Sequence, residues 1–184
     1  PASAGDTAAV AEDAAYNSWT AQGDWGYSDT EGTNMVSVKL ITLPGEGTLT
    51  DDDENGCATQ GGAACEANDI IVLAHLDDLS YTGASNYNGA DSFTFQVYDG
   101  TAFSATATMS ITVTAVNDAP VAGNTADLSI TEDVAATITG ATSTDVDGDS
   151  MTHVCVETGG DLPAGMTEQS DTGGVVTLAW TADN

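Results

Sequence analysis

The chain has 184 residues, enough for one large domain or for one complete and one partial domain. Twenty-nine Asp and Glu face a single basic residue, Lys39, for a formal charge of −28. Internal ion pairs cannot neutralise such a chain, its field repels nucleic acid and anionic membrane surfaces, and its compact state calls for screening by salt or bound divalent cations. With 41% hydrophobic residues and sustained β-type alternation, it has the material for a core that a disordered acidic chain lacks.

In chain order, short strands are expected at Val36 to Ile41 and Ile70 to Ala74, followed by two longer runs of strict alternation. In the first, Phe93, Phe95 and Val97 alternate with Thr94 and Gln96. In the second, Phe103, Ala105, Ala107, Met109, Ile111, Val113 and Ala115 take every odd position and Ser or Thr every even one. Period-two patterning of this kind places the apolar side chains on one face and the hydroxyls on the other. Asp99-Gly100 between the runs is a hairpin signal, so the two form a closing hairpin. Further strands are expected at Leu128 to Ile130, Ala136 to Ile138 and Val175 to Trp180. No segment sustains a 3.6-residue period, and no apolar run of about 18 residues could span a membrane. The N-terminus has no basic region followed by an apolar stretch, so these residues hold no signal peptide.

The chain repeats itself. Pro1 precedes Glu12-Asp13-Ala14-Ala15 much as Pro120 precedes Glu132-Asp133-Val134-Ala135. Asp29-Thr30-Glu31-Gly32-Thr33-Asn34-Met35 lines up with Asp145-Val146-Asp147-Gly148-Asp149-Ser150-Met151. A period of about 119 residues follows. The expected domains are 1–119, with an insertion at 51–68, and 120–184, the N-terminal part of a second repeat. The fold class is all-β: tandem antiparallel β-sandwich repeats, the second incomplete. Either the window is cut from a longer stalk, or a strand from another subunit, with 1–10 as candidate donor, completes the second sheet by β-strand addition.

Carboxylates on alternate residues of a turn, as at Asp145, Asp147 and Asp149, suit Ca²⁺, which takes six to eight hard oxygen ligands. The same residues do not make an EF-hand loop: Gly148 stands at position four rather than six, and Val156 falls at position twelve. Asp51-Asp52-Asp53-Glu54 reads as a solvated loop tip. Cys57 and Cys65 enclose a small flexible loop that a disulfide would close in an oxidising compartment, free thiols being the alternative; Cys155 is left over, as a small buried apolar residue, with an intermolecular bridge as its alternative. His75 and His153 have no ligand spacing, and no nucleophile motif accompanies any Ser, so the chain is not expected to be an enzyme. Trp19, Trp25 and Trp180 suit core packing, with a sugar-binding platform as the other use.

Tyr81-Thr82-Gly83, then Asn88-Gly89-Ala90-Asp91-Ser92-Phe93-Thr94-Phe95 and Tyr98-Asp99-Gly100, resemble the closing half of the cadherin-like and immunoglobulin-like tandem repeats of large secreted bacterial adhesins. Val116-Asn117-Asp118-Ala119-Pro120 resembles their inter-repeat linker, and Leu162-Pro163-Ala164-Gly165-Met166 with Leu178-Ala179-Trp180-Thr181 is similar to an immunoglobulin-like variant. The resemblance implies calcium at repeat junctions. Carried over by position, one junction would use Glu12, Asn117, Asp118, Asp145 and Asp147, and the junction before the first repeat Asp29, Glu31 and Asp99. Ala115 stands where the cadherin linker has its first Asp. The resemblance also implies an extracellular or cell-surface module of an adhesin, stalk or filament, its partners being neighbouring repeats or identical subunits. A carbohydrate- or receptor-binding adhesin module and an accessory domain of a secreted hydrolase are the alternatives.

Overall fold

A computed structural model describes residues 1–19, 22–51, 57, 63–123, 135–139, 142–152, 167–172 and 175–181. The expected strand at 128–130, Glu132, His153, Cys155 and the segment 162–166 lie outside them. The chain divides into two compact units, Pro1–Val116 and Asn117–Asn184.

In the first unit the strands are β1 (Ala2–Ser3), β2 (Asp6–Ala11), β3 (Ala15–Tyr16), β4 (Tyr27–Ser28), β5 (Ser37–Thr42), β6 (Gly47–Asp51), β7 (Ala63–Ala64), β8 (Ile70–Val72), β9 (Leu79–Gly83), β10 (Gly89–Tyr98) and β11 (Ala107–Thr114). They form a five-stranded sheet in the order β2-β11-β10-β5-β8 and a four-stranded sheet in the order β3-β9-β6-β7, with β1 and β4 as a separate pair. Every pairing is antiparallel except β2 with β11, which is parallel. The inward side chains of the two larger sheets meet in one core, an all-β sandwich of cadherin-like type. Residues 1–10, considered above as a donor to another subunit, are paired within their own unit: β2 lies along β11, and Ala8 and Val10 enter the core.

The closing hairpin forms as β10 and β11, with Phe93, Phe95, Val97, Ala107, Met109, Ile111 and Val113 all facing inward. Its second strand begins at Ala107, four residues later than the alternation suggested. Phe103 is 43% exposed, whereas Ser104 is buried. The inversion follows from the turn. Asp99 Oδ1 accepts the amides of Thr101 and Ala102, tightening the connection, and the Ser104 hydroxyl accepts the Val97 amide at 3.1 Å, so serine rather than phenylalanine takes the inward place.

At the centre of the core Trp19, Trp25, Phe93 and Phe95 pack in tilted and edge-on pairs with centroids 4.8–6.2 Å apart. Trp19 and Trp25 are thus core residues, and no sugar platform includes them. A latch beside the core ties β9 and β10 to the β5–β6 connection: the Tyr81 hydroxyl donates to Asp91 Oδ2 at 2.9 Å, and Asp91 accepts the amides of Gly45 and Glu46. Gly47 is required there, since a Cβ on it would lie 2.4 Å from the Tyr81 ring.

Asp51, expected in an exposed acidic tip, is 1% exposed, and its carboxylate accepts the Cys57 amide at 3.0 Å. It closes β6 as an inward-facing residue, so only 52–54 remain from that acidic run, and they lie outside the described residues. Cys57 and Cys65 form a disulfide and both are buried.

The second unit contains β12 (Ala135–Thr139), β13 (Thr167–Thr172) and β14 (Val175–Thr181) in one antiparallel sheet of order β12-β14-β13. Trp180 lies on β14, opposite Ala136.

Candidate metal-binding acidic turns

The aligned segments 29–33 and 145–149 adopt the same turn. Asp29 Oδ1 accepts the amides of Glu31 at 2.9 Å and Thr33 at 3.1 Å; Asp145 Oδ1 accepts those of Asp147 at 3.0 Å and Asp149 at 3.1 Å. Each turn needs a left-handed residue at its fourth position, and each has glycine there, Gly32 with φ 76° and Gly148 with φ 77°. The residue before each acid pairs with the start of its unit: Ser28 with Ala2, and Thr144 with Val121. Two segments of different sequence thus converge on one geometry, with the first carboxylate spent on the backbone and the next one, Glu31 or Asp147, projecting from an exposed turn.

In the first unit the Asp29 side chain is almost fully enclosed, and Oδ2 lies 3.1 Å from the amino group of Pro1. Asp99 Oδ2 is 3.8 Å from the same nitrogen. Burial pushes the Asp29 carboxyl up, but hydrogen bonds from Thr33, the Pro1 ammonium and the Glu31 amide outweigh it and hold the pKa at about 2. Asp99 is also lowered, chiefly by the amides of Ala102 and Thr101. The Pro1 ammonium is raised in turn, first by its bond to Asp29. Glu31 lies in the exposed part of the turn.

Glu12, also of the first unit, is 4% exposed, and its carboxylate accepts the Val116 amide. In the second unit Asp147 Oδ2 accepts the Asp118 amide at 2.6 Å, and Asn117 Nδ2 donates to the Asp118 carbonyl at 3.0 Å. Acidic side chains thus hold two amides only two residues apart along the chain. Asp149 is exposed, and its amide, rather than its carboxylate, is engaged by Asp145.

Sequence reasoning singled out these acids by type and spacing. It missed that the first acid of each turn accepts backbone amides, a role that Asp-x-x-Gly spacing signals in many turns. It also missed Asp91 and Asp51, whose sequence neighbourhoods look like ordinary polar surface. His75 Nδ1 lies 3.3 Å from Asp78 Oδ2, a local pair unrelated to the turns.

Among the described residues no helix is long and apolar enough to cross a membrane. No curated protein matches the chain. Residues 60–114, which run from the disulfide loop through the closing hairpin, match the family model of a cadherin-like domain, a type of module used in adhesion and typically without catalytic activity.

Proposed function

We propose that the chain is a structural repeat module of an extracellular, calcium-dependent adhesin, stalk or filament, in which calcium stiffens the connection between successive repeats. The observation that carries this reading is the recurrence of one acidic turn at the start of both units, Asp29-Thr30-Glu31-Gly32-Thr33 and Asp145-Val146-Asp147-Gly148-Asp149. Both turns keep a second acid, Glu31 or Asp147, that the turn's own hydrogen bonds to the first Asp do not require, which supports a shared ligand. The donors are hard oxygens on alternate residues, the set that Ca²⁺ prefers. In the first unit Asp29, Glu31 and Asp99 would hold the ion. By sequence position alone, the linker would draw on Glu12, Asn117, Asp118, Asp145 and Asp147, with Asp149 following them in the turn. The disulfide of Cys57 and Cys65 fits an oxidising, extracellular setting.

Thermal melts with millimolar calcium and with chelator test this at moderate ionic strength, where general screening is already present. The melting temperature is expected to rise with calcium and to lose most of that rise in the Asp145→Asn, Asp147→Asn double variant. Coincident melts with calcium and with chelator would sink the structural-calcium reading.

A further inference from the structure

Asn88 stands at the entry to β10, directly before Gly89. It is exposed, and among the described residues its carboxamide makes no hydrogen bond. Gly89 has φ 143°, and a Cβ there would lie 2.9 Å from the Tyr87 hydroxyl, so only glycine fits. The geometry that demands glycine also leaves its amide nitrogen without a side chain to shield it. Gly89 pairs with Val113 at the end of the β10–β11 ladder, where a strand opens most readily. Tyr87 anchors the turn, its amide donating to the Ala84 carbonyl at 3.0 Å and its hydroxyl to the Ala90 carbonyl at 2.7 Å, but neither bond engages the Asn88 side chain or the Gly89 amide.

From this arrangement we infer that Asn88 is a site of spontaneous covalent modification, hydrolytic deamidation through a cyclic imide. The Gly89 amide nitrogen gives up its proton to hydroxide and attacks Asn88 Cγ. The new N–Cγ bond closes a five-membered ring, the Cγ–Nδ2 bond breaks, and the side-chain nitrogen leaves as ammonia. Water then opens the imide at either carbonyl, giving aspartate or, with the main chain routed through the former side chain, isoaspartate. Water is the one co-reactant, and no redox step occurs. The structure distinguishes this pair from the other acid-glycine steps of the same form among the described residues. Asp99 precedes Gly100, but its Oδ1 accepts the amides of Thr101 and Ala102 at 2.7 and 2.8 Å, and its side chain is only 8% exposed. Asp147 precedes Gly148, and its Oδ2 accepts the Asp118 amide at 2.6 Å. An ionised carboxylate also resists a nucleophile that a neutral carboxamide admits. Isoaspartate at 88 would lengthen the main chain by one carbon beside the first pair of the closing hairpin, and both products add a negative charge. The inference is independent of the calcium reading.

Peptide mapping of the folded chain after incubation at about 37 °C and about pH 8 tests it, with fragmentation that separates aspartate from isoaspartate. Residue 88 is expected to convert over days, faster as the pH rises, and at a rate of the same order as in the denatured chain. Asp99 and Asp147 are expected to stay unmodified over the same period. Asn88→Gln, whose longer side chain cannot close a five-membered ring, is expected to melt like the parent and to lose the conversion at that position. Retention of Asn88 by the folded chain, whether or not the denatured chain converts, would overturn the inference. So would isoaspartate forming at Asp99 or Asp147 as fast as at residue 88.

Discussion

Asp29 illustrates how one carboxylate can act against the trend of the whole chain. Lowering the pH protonates acids and relieves the mutual repulsion of a −28 molecule, which favours the compact state. Asp29 opposes this locally. Its folded pKa of about 2 lies below the ordinary 3.8, so the ionised form is the one that folding favours. The stability it adds is present above about pH 4 and is lost as the pH falls towards 2. Asp29→Asn is therefore expected to be clearly destabilising at pH 6, and the gap between variant and parent is expected to close between pH 4 and pH 2. Denaturant melts of both proteins across that range measure it; a gap independent of pH would show that the turn does not depend on the charge.

Among the elements, the connection from β6 to β8 depends on a covalent link together with one buried acid. The disulfide joins residues eight apart, and Asp51 accepts the Cys57 amide beside it. Closing so short a loop stabilises by about 2–3 kcal/mol through restriction of the unfolded chain. Reduction, or the Cys57→Ser, Cys65→Ser double variant, is expected to lower unfolding stability by about that amount. Chemical denaturation of both forms is the check, and equal midpoints would remove the link from the stability of the sandwich. The same region marks what could be read from the residues alone. The alternation over β10 and β11 announced both strands, because half-buried strands leave a period-two trace in composition. β13 left none: Thr167–Thr172 is a run of polar residues that pairs through its backbone. The inversion at Phe103 and Ser104 was hidden for a related reason, since a hydroxyl bonded to a backbone amide competes for the inward place in a way that hydrophobicity does not register. The acidic turns were legible as spacing but not as geometry, because the amides that fill Asp29 and Asp145 belong to residues two and four positions ahead.

For the first unit as a whole, the single parallel pairing governs how it would bear a pull. β2 and β11 run in the same direction, Asp6 level with Met109 and Ala11 level with Thr114. The chain therefore enters this ladder at one end and leaves it at the other. Tension applied through the two connecting segments would load the ladder lengthwise, so that its bonds resist together instead of parting one at a time like a zipper. In the proposed stalk, a module would experience this direction of load. Constant-speed pulling on the unit through its entering and leaving segments is expected to give a high rupture force. Val10→Pro, which removes a backbone donor from β2, is expected to reduce it. Pulling instead through residues 88 and 116, which leave the antiparallel β10–β11 pair at the same end, Gly89 opposite Val113, would part that ladder bond by bond, and the unit is expected to yield at a markedly lower force.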